Sequence, residues 1–331
     1  MDNSLRQSKG KRIIYLDVVK AIAICLVCIG HVPMLVTMSH ASVLHDWIYS
    51  FHMPLFMLLS GYFSLHSFSR PFPQFISRKA VQLLLPAVTV PFMTVVLMSL
   101  HTDNYFILAR NEMIGGLWFL KTLFLCYLYV WIIKRLPLSD AWLCLISVIF
   151  ACLVPHGYFL QFNWLLIFFW TGYFLNKYSG FINRYRLWIT LVSTVYFIFF
   201  AIHRQSEVLT YSVLFTTPFH LPLQFLTSLS GSLAVTGIIY YLCKYFRSGI
   251  LIKKFAVIGR YTLGIYVMQT IIIERLGLQF LHIDLTSLPF WLSDGFIIPL
   301  LGILGLLLSY LSVRILSKIR IINLFFFGNQ Y

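Results

Sequence analysis

Charge is scarce in this chain, and acidic charge scarcest of all. Of 331 residues, 10 are Asp or Glu and 25 are Lys or Arg, together 11%; a soluble domain typically carries about 25%. That scarcity excludes an ordinary water-soluble globule, because the 60% of the chain that is hydrophobic would leave large apolar patches in water. Cysteine is also sparse. Cys25, Cys28, Cys126, Cys144 and Cys152 lie inside apolar runs and Cys243 closes one, which argues against a disulfide framework, and no Cys/His spacing fits a zinc site. Cys25-x-x-Cys28 is a weak redox signal and reads more simply as two small core residues. Internal repeats, low-complexity segments and long linkers are absent.

What is present is apolar run after apolar run. A transmembrane helix takes about 20 mostly apolar residues, so the composition suffices for about ten crossings, with almost nothing left for a separate soluble domain. The sequence therefore predicts an all-α, polytopic membrane protein. The first span follows the basic stretch Lys9–Arg12 and runs from Ile13 to about Met38. It is too long for a signal-peptide core, carries Asp17 and Lys20, and shows no clear cleavage site, so it is expected to be retained. The others are expected near 45–65, 80–100, 116–133, 140–155, 161–176, 187–203, 221–243, 255–274 and 295–316. Segments 205–220 and 276–293 read as interfacial or re-entrant.

The net charge of +15 does not point to nucleic acid, because the basic residues fall in short clusters between apolar runs. With alternating crossings, one side collects twenty of them, among them Arg6, Arg12, Arg70, Arg78, Lys79, Lys134, Lys177, Arg184, Arg186, Arg247, Arg260 and Arg320. The other side holds three, Arg110, Arg204 and Arg275. The positive-inside rule then places both termini in the cytoplasm. Asp46, Asp103, Glu112, Glu207, Glu274, Asp284 and Asp294 fall on the outer side.

Ionisable groups inside spans are costly and mark functional candidates. Span 1 carries Asp17, Lys20 and His31. Eleven residues at about 100° each return Lys20 and His31 to one face, with His31 roughly 16 Å further along the axis; Asp17 lies on the same stripe. The plainer reading is a pair that anchors the span, with Lys20 reaching to the interface and His31 bonded to a neighbouring helix. His52, in Phe51-His52-Met53-Pro54-Leu55-Phe56, lies at a similar depth, and Ser60-Gly61 permits close helix approach. Two histidines at one depth suit a general base; zinc would need a further ligand, and no carboxylate or thiol is expected there. Trp118 reads as an aromatic-belt residue or part of a site. Lys121, a turn deeper, needs a carboxylate, a carbonyl or an anionic ligand. Arg78 and Lys79, with Arg70 nearby, satisfy positive-inside bias or an anionic cytosolic ligand such as a nucleotide pyrophosphate.

These segments together resemble the acyltransferase-3 family of bacterial integral-membrane acyltransferases, closest to its fucose 4-O-acetylase-like branch. The resemblance rests on Tyr15-Leu16-Asp17-Val18-Val19-Lys20 followed by His31, on Phe51-His52-Met53-Pro54-Leu55-Phe56 through Ser60-Gly61-Tyr62, on Leu117-Trp118-Phe119-Leu120 and on Gly264-Ile265-Tyr266. Lys20 stands where the family usually has Arg, as it does in that branch, which keeps the charge and loses the bidentate fork. Gln269 stands near a position where relatives often carry His. The resemblance implies a single transmembrane domain over 1–331 in the bacterial inner membrane; the basic segment 1–12 is expected in the cytoplasm from the charge pattern, and the chain is expected to be too short for the fused extracytoplasmic domain that many members carry.

It further implies transfer of an acyl group, usually acetyl, from cytosolic acetyl-CoA to a sugar hydroxyl of a surface polysaccharide or lipid-linked glycan. Acetyl-CoA is then a substrate, and no cofactor or metal is permanently bound. On that basis CoA is expected near Arg78 and Lys79, with its pantetheine beside Lys20 and its thioester at His31, acting as general base or transient acyl carrier. Asp17 would fix Lys20, while His52, Trp118 and Lys121 would shape or polarise the site. A flippase for a lipid-linked sugar, or a non-catalytic partner in polysaccharide assembly, fits the spans equally well, and an oligomer is compatible with either.

Overall fold

The computed structural model describes residues 13–98, 104–154, 161–201, 219–246, 249–277 and 280–331. The basic segment 1–12, most of 205–220, and Asp103, Arg204, Glu207 and Arg247 lie outside the described residues.

The architecture is helical. α1 (Ile14–His31) is followed by α2 (Val43–Tyr49), α3 (His52–Tyr62), α4 (Phe72–Lys79), which passes through a π-helical turn into α5 (Leu85–Met98), α6 (Tyr105–Gly115), α7 (Trp118–Ile133), α8 (Asp140–Leu153), α9 (Phe162–Lys177) and α10 (Ser179–Phe200). The second half comprises α11 (His220–Tyr245), α12 (Ile250–Arg260), α13 (Thr262–Gln269), a π-helical segment Thr270–Gly277, α14 (Ile298–Leu316) and α15 (Arg320–Phe327). Four helical stretches are long and apolar enough to cross a membrane: Ile14–Leu35, Phe72–Met98, His220–Tyr245 and Phe290–Leu316. Two bent pairs also qualify, α6 with α7 at 46° and α12 with the stretch from α13 to Gly277 at 67°. Large apolar side chains cover the outside, among them Trp188, Val192 and Phe199 on α10, as a hydrocarbon solvent requires.

α1 is the central post. Val19, Ala21, Ala23, Ile24 and Cys28 are fully buried, and small residues on its neighbours bring backbones against it. A Cβ on Gly259 of α12 would lie 1.8 Å from the Asp17 carbonyl oxygen, and one on Gly302 of α14 would lie 2.5 Å from Ile29 Cα. Gly61 of α3 and Gly172 of α9 form a reciprocal crossing. A Cβ on the first would meet the Phe169 carbonyl oxygen at 2.0 Å, and one on the second the Leu58 carbonyl oxygen at 1.9 Å. Only glycine permits that contact, the small-residue packing that association in lipid depends on. All six cysteines are free thiols.

Several expected single spans are interrupted. The 45–65 region is two helices, broken at Ser50 and Phe51, where α3 opens with His52. The 255–274 region bends at Tyr261 and then widens into the π-helical turns of 270–277. The 276–293 region contributes an extended pair, Val36–Thr37 alongside Ile283–Asp284 in parallel. Each break falls where helix turns are replaced by tertiary contacts, which hydropathy does not record. Irregular backbone at membrane depth is stable where it is buried in protein or lines a cavity.

Candidate functional site

α1 runs unbroken from Ile14 to His31, so Lys20 and His31 share a face as the helical repeat requires. Lys20 Nζ lies 3.3 Å from Asp17 Oδ1 and 4.5 Å from the centre of the Phe63 ring. Asp17 is buried, and the Gly259 crossing covers its backbone.

At the far end of α1, His31 meets a carboxylate that the sequence pattern places in an outer loop. Glu274, from the π-helical segment, brings Oε1 to 2.7 Å from His31 Nδ1. The N–H direction is off that oxygen, so the contact is a close approach rather than an aligned hydrogen bond, a looseness common in unliganded sites. Gln269 Nε2 donates to the same oxygen at 2.9 Å, and the Thr270 hydroxyl lies 3.2 Å from it. The expectation that no carboxylate shares the depth of the two histidines is therefore corrected: the bend at Tyr261 carries Glu274 back into the bundle. The signal was available as an acidic residue closing an apolar span at the level of His31. Among the described residues no three His, Cys, Asp or Glu side chains are grouped to hold a metal.

His31 and Glu274 line a cavity of about 320 Å³ together with His52, Trp118, Trp164 and Gln224. His52 is buried, and its Nδ1 sits 2.8 Å from the Ile48 carbonyl oxygen. A carbonyl only accepts, so Nδ1 carries the proton and the neutral ring keeps its lone pair on Nε2. Gln224, 7% exposed on α11, has an Oε1 without a hydrogen-bond partner, and nothing in the sequence distinguishes it from other span glutamines. Leu117 (φ 49°) and Gln161 (φ 60°) hold the left-handed conformation immediately before α7 and α9, and both line this cavity. Non-glycine residues in that region store strain and gather at functional sites.

A second cavity of about 250 Å³ abuts the first across Val27, Met53 and Tyr266, which line both. It shares Lys20, Phe63, Lys79, Gln82 and Tyr127 with a third, of about 280 Å³, whose mouth adds Arg70 and Arg78. Lys79 Nζ rests 3.5 Å above the Tyr127 ring. Among the described residues no Asp or Glu lines either of these two cavities, and the mouth gathers four cationic side chains, of which Lys20 is paired with Asp17. The three cavities therefore stand in series, neighbours sharing wall residues, from the basic mouth to the His31–Glu274 pair.

Lys121 is placed differently. Its Nζ donates to the Met113, Ile114 and Gly116 carbonyl oxygens at 2.6, 3.1 and 2.8 Å, closing the C-terminal end of α6, and it lines none of the three cavities. Of the three partners the sequence left open, the carbonyls hold it. Trp118 lines the outer cavity, away from the basic mouth.

An apolar-surfaced helical bundle that holds a histidine–carboxylate pair in one cavity and a cluster of cations at another has the architecture of an integral-membrane protein with a polar site inside it. The chain belongs to the acyltransferase-3 family, whose model, described as an acyltransferase domain, matches residues 13–324. It is similar to the nodulation protein NolL of Mesorhizobium japonicum (strain LMG 29417 / CECT 9101 / MAFF 303099), 30% identical over 179 residues covering 47% of each chain. It is likewise similar to the nodulation protein NolL of Sinorhizobium fredii (strain NBRC 101917 / NGR234), 30% identical over 161 residues covering 44% of this chain and 43% of that one. The chain spans about half the length of these curated relatives. No solved structure matches it.

Proposed function

We propose that the protein is a membrane-bound O-acyltransferase that moves an acetyl group from cytosolic acetyl-CoA to a sugar hydroxyl of a surface polysaccharide or lipid-linked glycan. The observation that carries this reading is the series of three cavities, each sharing wall residues with the next, from the Arg70–Arg78–Lys79–Lys20 mouth to His31. In this reading the chain crosses the bacterial inner membrane about ten times with both termini in the cytoplasm, so the mouth faces the CoA pool.

The CoA phosphates are held at the mouth by charge-assisted hydrogen bonds, and the pantetheine passes Lys20 toward Val27, Met53 and Tyr266. The thioester carbonyl then enters the outer cavity. His31 Nε2 takes the proton of the acceptor hydroxyl as its oxygen bonds to the carbonyl carbon. The C–S bond breaks, and the proton passes to the departing thiolate. Glu274, close to Nδ1, orients the ring and stabilises the imidazolium that forms, the role a carboxylate plays beside a catalytic histidine. Asp17 fixes Lys20 in the wall of the route. The lone pair of His52 accepts a hydrogen bond from acceptor or pantetheine, and Trp118 gives the acceptor a flat apolar wall.

The test uses purified protein, labelled acetyl-CoA and, as acceptor pool, membranes from a strain lacking the gene. Label should enter the glycan fraction with release of CoA, and His31→Ala should abolish transfer while inserting normally. Label retained in His31→Ala would remove His31 from the mechanism. A flippase would leave the thioester intact.

A further inference from the structure

Leu59 is the wall between the inner route and a separate, smaller cavity, lining both. This second space, about 70 Å³, lies where α1, α3, α9, α10 and α11 meet, and its polar lining includes Tyr15, Tyr62, Arg186, Thr236 and Tyr240. It has room for a phosphate group and none for a nucleotide.

The guanidinium of Arg186 is stacked 3.5 Å from the centre of the Tyr240 ring and 5.6 Å from that of Tyr15, and those two rings pack edge to face at 5.2 Å. Nη2 donates to Asn183 Oδ1. Nη1 is buried and has no hydrogen-bond partner. Among the described residues no Asp or Glu lines the cavity. Arg186 is half-buried; stacking on tyrosine faces offsets part of the cost of drawing its guanidinium from water, while the buried Nη1 is left without an acceptor, which is costly. A guanidinium held flat by aromatic rings, with edge N–H groups free, is arranged for an oxyanion, and the neighbouring Tyr15, Tyr62 and Tyr240 hydroxyls can donate to the same group.

The position indicates the source. Arg186 immediately precedes the apolar stretch 187–203. Tyr15 opens α1, Tyr62 closes α3 and Tyr240 lies in the last turns of α11. All four therefore sit at one end of the bundle, at the level where apolar side chains give way to headgroups. Leu175, Ile182 and Leu233 line the rest of the cavity, and α10 beside it presents Trp188 and Val192 outward.

We propose that Arg186, caged by Tyr15 and Tyr240, binds the phosphate of a membrane phospholipid headgroup in this cavity, at a site distinct from the acyl-transfer route. The site does no chemistry. It gives the buried Nη1 of Arg186 an acceptor and ties α10 to the α1–α3–α11 core. The same chemistry would accept free phosphate, so the experiment separates the two.

The full chain, purified in detergent and stripped of lipid, is titrated in thermal-unfolding runs with dioctanoyl phosphatidylglycerol, dioctanoylglycerol and inorganic phosphate. The phosphatidylglycerol should raise the midpoint saturably and the phosphate-free diglyceride should not, because only a ligand that favours the folded state stabilises it. Arg186→Gln should abolish the shift, and Tyr240→Leu, which keeps the charge and removes the stacking ring, should raise the half-saturating concentration about tenfold. Should Arg186→Gln fail to fold, Thr236→Phe fills the cavity without touching the charge and should abolish the shift as well. Lys20→Met should retain the shift, which separates this site from the donor mouth. An equal, Arg186-dependent shift with inorganic phosphate alone keeps the anion site and makes its ligand soluble phosphate. A lipid shift that persists in both Arg186→Gln and Thr236→Phe, or one reproduced by the diglyceride, overturns the proposal.

Discussion

Glu274 approaches His31 to 2.7 Å at the C-terminal end of α1, although the two residues stand near opposite ends of the sequence. The approach depends on two departures from regular helix. The chain bends by 67° between α12 and the stretch that starts at Thr262, and the turns from Thr270 to Gly277 are π-helical. π-Helical turns inside helices frequently accompany functional sites. Here the wider turn sets Gln269 and Thr270 around one carboxylate oxygen of Glu274.

Glu274→Gln keeps the shape and removes the charge. Its expected effect is a fall in kcat of about 10²-fold or more, the scale associated with losing the orienting partner of a catalytic base, with the KM for acetyl-CoA little changed. Steady-state rates over a range of acetyl-CoA concentrations check both; an unchanged kcat would reduce Glu274 to packing.

Arg78→Ala should act on the donor alone. Charge-assisted hydrogen bonds to phosphate contribute about 1.5–3 kcal/mol, so KM for acetyl-CoA should rise about tenfold or more, with kcat nearly preserved. Raising the salt concentration should weaken the wild type toward the variant. A matching loss of kcat with no change in KM would place Arg78 outside the donor site.

Lys121→Met separates donor binding from structure. Three carbonyl oxygens at the end of α6 lose their donor, and loss of such partners costs about 1–3 kcal/mol, the lower part applying to groups that water can reach. A lower unfolding temperature with an unaltered KM for acetyl-CoA is expected. The reverse result would restore Lys121 to the site.

Gly172→Ala tests the crossing that seats α3. The added Cβ would fall 1.9 Å from the Leu58 carbonyl oxygen, a clash with rigid backbone on both sides. α3 must move away from α9, and His52, which opens α3, moves with it. Lower protein yield in the membrane and loss of transfer together are expected; Gly180→Ala, with no atom within 4 Å of its added Cβ, is the neutral control.

The membrane class, the register of Lys20 with His31 and the basic mouth were legible in the sequence because each depends on local quantities: hydropathy, the helical repeat and runs of like charge. Lys121 was legible only as a cation needing a partner, because a carbonyl partner follows from how α6 bends into α7. Gln224 and the strained Leu117 carry no one-dimensional signal at all.

The sequence alone determined that the chain is helical and apolar-surfaced, and it set a lysine and a histidine on one face of its first helix. Only the tertiary structure decided that Glu274 faces His31 and that three cavities with shared walls lie in series beside it. Hydropathy measures what a segment must hide from water and is blind to what lies on the far side of a bend, and at Tyr261 a bend turns an outer-loop acid into an inward-facing one.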